Sequence, residues 1–201
     1  MNLKELWNER RQLVENHLAQ ELNEDSALDP MLCESMKYSL MAGGKRLRPV
    51  LLMAAADAVG ATGTRYLEPA CAIEMIHTYS LIHDDLPAMD DDDYRRGKLT
   101  NHKVYGAGMA TLAGDALLTL AFEVMLRQHD ASPEDILSVV REMSLAAGPD
   151  GMVAHLHRAG DGSGRAGRGG RARHPGQLTR PGRGVPAGAG RSGERGPVCP
   201  A

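Results

Sequence analysis

The residues with the most evident chemistry form one run: His83-Asp84-Asp85-Leu86-Pro87-Ala88-Met89-Asp90-Asp91-Asp92-Asp93-Tyr94-Arg95-Arg96-Gly97. Six carboxylates fall within ten residues and two arginines follow at once. Carboxylates this dense repel one another. Hard divalent cations such as Mg²⁺ seek such oxygens, and are usually held by a few carboxylates plus substrate phosphates. Asp84 and Asp85 close an apolar helical stretch, Glu74–Ile82, and Pro87 should turn the chain so that Asp90 returns toward them. Arg95 and Arg96 carry the forked donors that suit phosphate oxygens. The run also reads as a solvated acidic loop, although Leu86 and Met89 inside it and the arginine pair beside it fit that reading poorly. It is not a calcium EF-hand, which needs Gly at the sixth loop position and Glu at the twelfth.

A second cluster is Gly43-Gly44-Lys45-Arg46-Leu47-Arg48-Pro49. Two glycines let a ligand approach the backbone, and three cations lie in four residues just before a helix start. That combination attracts an anion such as diphosphate. Taken alone, it also reads as a helix end followed by a solvated basic turn. The P-loop spacing is absent. His77 lies about two helical turns before Asp84, on a similar face. A lone histidine on an apolar helix is often a packed structural residue, but this placement also suits an anion.

The elements that must position these residues read as helices. Apolar residues at Leu3, Leu6, Trp7, Leu13, Val14, Leu18 and Leu22 have helical spacing. Asp29-Pro30 is a helix start and Gly43-Gly44 a stop. Pro49 opens a helix to Gly60, and another runs from about Pro69 to Asp85. Gly108–Leu126 is apolar on most sides, which suggests a central helix buried all round. Ser132-Pro133-Glu134-Asp135 is a capping box opening a helix to Ala147. Alternating strand patterns are absent. Aromatic residues are 3% of the 201-residue chain, so the core must be Leu, Met, Ala and Val. The fold class read from this is all-α, a helical bundle.

At residue 155 the character changes. Residues 155–201 hold 13 Gly, 9 Arg, 6 Ala and 5 Pro, with no Ile, Met, Phe, Tyr, Trp, Lys or Asn. Such a tract cannot bury enough apolar surface to offset its ordering entropy, so it is expected to be disordered. Its nine arginines and two acids give it +7, which leaves −10 on residues 1–154 within an overall −3. An abrupt switch to Gly, Ala, Arg and Pro is what a GC-rich gene read out of frame would give. We read the tail as a frameshift product rather than a natural Gly/Arg segment. Its cationic charge would attract nucleic acid only nonspecifically, since it has no aromatic residue for stacking.

The three cysteines, Cys33, Cys71 and Cys199, form no disulfide framework or zinc spacing, which suggests a reducing compartment. The charged N-terminus is no secretory signal. Neither Pro49–Ala56 nor Met109–Leu126 offers the ~20 uninterrupted apolar residues of a membrane span. The expected localisation is cytoplasmic, with no membrane span.

In this order, the two clusters resemble those of the trans-isoprenyl diphosphate synthases (polyprenyl synthetases). GGKRLRP at 43–49 is similar to that family's homoallylic-substrate motif. DDLPAMD at 84–90, followed by RRG at 95–97, looks like its first aspartate-rich motif. The two extra residues between the acids, and Tyr79 five positions before Asp84, are similar to the bacterial farnesyl diphosphate synthase pattern. The resemblance covers about residues 1–154 and implies an isoprenoid-synthase-type bundle. It implies Mg²⁺ as cofactor, bound by Asp84 and Asp90 with Asp85 supporting the cluster. It implies that Arg95 contacts the allylic diphosphate (dimethylallyl or geranyl), and that Lys45, Arg48, His77 and Arg96 hold isopentenyl diphosphate. The implied reaction is 1'-4 condensation to farnesyl diphosphate, with Tyr79 and Ser80 limiting chain length below the site. Members are commonly homodimers.

Family members continue in helical sequence with a second aspartate-rich motif facing the first, and a downstream Lys-Thr pair. Here Gly151-Met152-Val153-Ala154 leads instead into His155-Leu156-His157 and the Gly/Arg tract. The expectation is therefore a truncated bundle, with apolar surface of the 108–126 helix left open and little or no activity in isolation. A second reading is a non-catalytic or partner subunit of a heteromeric prenyl synthase, active only with another chain. For the tail, sequencing the gene past the codon for Ala154 should reveal a helix-coding continuation in another frame. Its absence from both other frames would show the tail to be genuine.

Overall fold

The computed structural model describes residues 2–22 and 29–154. The expected disorder of residues 155–201, their reading as a frameshift tail, and Cys199 lie outside the described residues. Within them the chain is helical: α1 (Leu3–Glu21), α2 (Pro30–Leu40), α3 (Leu47–Ala58), α4 (Leu67–Asp84), α5 (Asn101–Tyr105), α6 (Ala107–Leu126) and α7 (Pro133–Ala147). A 3-10 turn spans Gly63–Tyr66, and one small hairpin joins β1 (Tyr94–Arg95) to β2 (Lys98–Leu99).

The helix starts follow their capping chemistry. Asn2 caps α1 reciprocally with Glu5, Asp29 accepts from the amides of Met31 and Leu32 ahead of Pro30, and Ser132 accepts from the amide of Asp135. Helix α3 begins at Leu47, two residues before the expected Pro49. Pro49 still sits in the first turn, where no amide hydrogen is needed.

Helix α4 is the most enclosed element. It packs on α1, α2, α3 and α6, and eleven of its eighteen residues are buried, among them Cys71, Met75, Tyr79 and Ile82. Helix α6 was expected to be buried all round in a complete bundle and to leave apolar surface open in this chain. Its buried residues form one stripe: Ala110, Ala113, Gly114, Leu117, Ala121, Val124 and Met125. That stripe meets α4 along with α2, α5 and α7, while Leu112 and Leu126 are more than half exposed. The flank is open, as expected of a truncated bundle, because the neighbouring helices cover one side of α6 only. By length and composition, α6 is also long and apolar enough to cross a membrane. Its Asp115 and Glu123 both lie on its exposed side.

The core is aliphatic as expected, built of Leu, Met, Val and Ala with buried, free Cys33 and Cys71. The hairpin was not expected. Its strands are two residues each, pairing Tyr94 with Leu99 and Arg95 with Lys98. Arg96 and Gly97 form the turn, both at positive φ (54° and 78°), the conformation a two-residue hairpin loop favours.

Leu117 lies on the buried stripe of α6 and is fully buried. Leu117→Ala should cost about 2–5 kcal/mol, measured as a lower urea midpoint with an unchanged m-value.

Candidate active site

After α2 the chain passes through Gly43 (φ 81°) and Gly44, and Arg46 caps α3 in the left-handed region (φ 46°). This reversal separates the three cations of the segment. The Arg46 guanidinium is buried. Its Nε donates to Glu15 Oε1 at 2.8 Å, Nη1 to Glu74 Oε1 at 3.1 Å and Nη2 to the Leu40 carbonyl at 2.7 Å. Grouping all three cations as anion-directed is thus corrected for Arg46, which the fold consumes. Lys45 and Arg48 are exposed. They line a cavity of about 280 Å³ with Gly44, Arg46, Leu47, Glu74, His77 and Arg96. The four residues expected to hold one diphosphate, Lys45, Arg48, His77 and Arg96, are thereby brought to one cavity.

His77 comes from the middle of α4. Burial, and then the charges of Arg48, Arg96, Arg95 and Arg46, push its imidazole down to about 4. It is neutral at neutral pH and offers a polar nitrogen rather than a charge.

Helix α4 ends at Asp84, and the turn after Pro87 folds back so that the Asp90 amide donates to the Asp84 carbonyl at 2.9 Å. The acids of the segment have different environments. Asp85 is buried and held by Arg95, whose Nε and Nη2 lie 2.6–2.9 Å from its oxygens. Asp85 was expected among the metal-binding acids; here it anchors an arginine. Asp93 pairs with Lys103 at 2.6 Å, and the Asp92 carbonyl accepts from Thr100 Oγ1 at 2.7 Å. Asp84 has no such partner. Its Oδ1 is buried without a hydrogen-bond donor. Desolvation first, then the Asp90 carboxylate, raises its proton affinity above the ordinary aspartate range. An orphaned oxygen beside a second carboxylate fits a hard divalent cation. Among the described residues no three acids, histidines or cysteines converge as a metal cage.

The hairpin joins the two halves. Arg95 reaches Asp85. Arg96 donates to the Gly43 carbonyl and lines both the cation cavity and a smaller one, about 40 Å³, that includes Thr78, Asp85 and Arg95. Gly44 permits this approach, since a Cβ there would lie 2.6 Å from Arg96 Nη1. Tyr79 is buried below Asp84, its ring edge-on to His83 at 5.5 Å. Ser80 turns back to its own helix, donating to the His77 carbonyl at 2.8 Å.

Sequence reasoning missed Arg46 with Glu74, and the brace of Thr100 and Lys103 under the acidic loop. A glutamate at position 74, inside an otherwise apolar and buried stretch, was the available signal that an arginine must meet it.

Comparison with known proteins gives a consistent result. The polyprenyl synthetase family model matches residues 29–149. Farnesyl diphosphate synthase of Geobacillus stearothermophilus is 49% identical over 156 residues, which is 77% of this chain and 52% of that protein. Large subunit 1 of the chloroplastic heterodimeric geranylgeranyl pyrophosphate synthase of Arabidopsis thaliana is 55% identical over 124 residues, 60% of this chain and 33% of that one. The crystal structure of geranyltransferase from Legionella pneumophila superposes with a TM-score of 0.77 at 34% identity, covering 83% of this chain and 59% of that one. The chain spans about half the length of the curated relatives it matches.

The His77 environment makes a testable statement. Between the ordinary histidine value of 6.5 and about 4, the unfolded chain takes up a proton that the fold refuses, so stability falls as pH drops through that window. His77→Asn should lose less stability than the parent between those two pH values. In the parent, an NMR titration should place the imidazole near 4 and show it moving upward when pyrophosphate is added.

Proposed function

The chain belongs to the polyprenyl synthetase family, and we propose that it carries the diphosphate-recognition half of a trans-prenyltransferase site. In this reading Lys45, Arg48 and Arg96 bind the diphosphate of isopentenyl diphosphate, with neutral His77 donating a hydrogen bond. Asp84 and Asp90 would hold Mg²⁺ on an allylic diphosphate, dimethylallyl or geranyl, and Arg95 would stand beside it, oriented by Asp85. The observation that carries the reading is the joining of Lys45, Arg48, His77 and Arg96 in one cavity, with Arg96 bridging to the acidic turn.

When bound, the cation would neutralise the departing diphosphate. The chain's own residues would do the rest. The arginines and Lys45 fix both diphosphates in place, so that most of the catalytic effect is positional and electrostatic. Buried Tyr79 would close the space below the growing chain and favour a C15 product, farnesyl diphosphate. The relatives include both farnesyl and geranylgeranyl synthases, so the gate is part of the proposal.

The Asp84 environment tests the proposal. Its raised proton affinity means that the charged form costs stability as pH rises above the unfolded aspartate value. Asp84→Asn should therefore raise Tm in metal-free buffer, and should abolish the further Tm increase that Mg²⁺ with geranyl diphosphate gives the parent. A parent that gains nothing from Mg²⁺ and geranyl diphosphate would overturn the reading. With isopentenyl diphosphate also present, the chain alone should form little or no farnesyl diphosphate. Robust formation would show that it carries a whole site, and formation only on adding a second chain would make it a partner subunit.

A further inference from the structure

The cation cavity contains a contradiction. One wall is Glu74, a carboxylate only 3% exposed. An uncompensated carboxylate in so dry a wall would repel the anion that Lys45, Arg48 and Arg96 attract. Among the described residues the cation against it is Arg46, whose Nη1 lies 3.1 Å from Glu74 Oε1. The other two hydrogen bonds of that guanidinium go to Glu15, on α1, and to the Leu40 carbonyl at the end of α2. Glu15 is the more exposed of the two acids, so solvent screens it, whereas Glu74 depends on Arg46.

We propose that Arg46 is the positioning residue of the anion cavity, whose inner wall it shares with Glu74: it cancels Glu74 and pins the turn that leaves Lys45 and Arg48 facing outward. The inference rests on the diphosphate reading above and deepens it. A single planar head reaching Glu15, Glu74 and a backbone carbonyl at once is a geometry that the point charge of lysine cannot reproduce. The left-handed backbone of Arg46 is held in place by the same three bonds. A residue that served only as a buried structural ion pair would affect folding and leave the sign of the cavity's response to Glu74 unchanged.

The test is calorimetric binding of inorganic pyrophosphate to the full 201-residue chain at low salt, with circular dichroism to verify folding. Arg46→Met should weaken pyrophosphate binding about tenfold or more by exposing the anion to lone Glu74. Glu74→Gln, which keeps an acceptor for Arg46, should tighten it severalfold. The double variant Arg46→Met/Glu74→Gln, which buries no lone charge, should return to within about threefold of the parent. If Arg46→Met does not fold, the other two variants decide. Unchanged or weaker binding by Glu74→Gln, or a double variant no better than Arg46→Met, would overturn the inference. A parent that does not bind pyrophosphate at all would overturn the diphosphate reading itself, and is distinguishable because no variant is then needed.

Discussion

Glu74, His77 and Asp84 sit on one helix that its neighbours cover on nearly every side, and that enclosure is the constraint from which the site follows. Helix α4 cannot slide or rotate without exposing its buried residues, Met75, Tyr79 and Ile82 among them. At 1.5 Å rise per residue, His77 and Asp84 are held about 10 Å apart along a rigid axis. Residues on loops reach the site from elsewhere, but they do so against this fixed rod. Arg46 and Arg48 approach its middle from the start of α3, and Arg95 and Arg96 approach its end from the hairpin.

The ionisable groups then divide by what opposes them. Those that shape the loops are compensated: Arg46 by Glu15 and Glu74, Asp85 by Arg95, Asp93 by Lys103. Burial first, and then the charges of Arg48, Arg96, Arg95 and Arg46, drive His77 to lose its proton, and burial with the Asp90 carboxylate makes Asp84 hold its proton more tightly. These two shifts have opposite signs and one origin, a desolvated group whose like-charged neighbours repel its charged form. Each would be relieved by the ion of opposite charge, an anion beside His77 and a cation beside Asp84.

Much of this was legible in the sequence where the signal was local. The Asp29 and Ser132 starts and the stop at Gly43-Gly44 depend on near neighbours in sequence, and the helices lie where those residues put them. The return of Asp90 toward Asp84 followed from Pro87. The hairpin was not legible, because two-residue strands leave no alternation to read; only the Arg96-Gly97 pair marked its turn. The separate roles of Lys45, Arg46 and Arg48 were not legible in the residues themselves, although the family resemblance singled out Lys45 and Arg48. They are three of a kind within four residues, and only the backbone reversal at Arg46, with acceptors 6, 28 and 31 residues away, sends one inward and two outward.

Helix α6 shows how a property read as depth of burial can instead reflect closeness of contact. Its buried stripe is mostly small, with Ala110, Ala113, Gly114 and Ala121 along it, and small residues let two helix backbones draw near. At Gly114 a Cβ would overlap the His83 ring. His83 occupies that space and donates from Nε2 to the Thr111 carbonyl at 3.1 Å. It is also the residue directly before Asp84, so the close approach of α6 fixes the end of α4 where the acids emerge. The apolar character that makes α6 resemble a span or an all-round core helix therefore serves two unlike surfaces. One is a tight seam that sets the position of Asp84, and the other is an open flank carrying Leu112 and Leu126 beside Asp115 and Glu123.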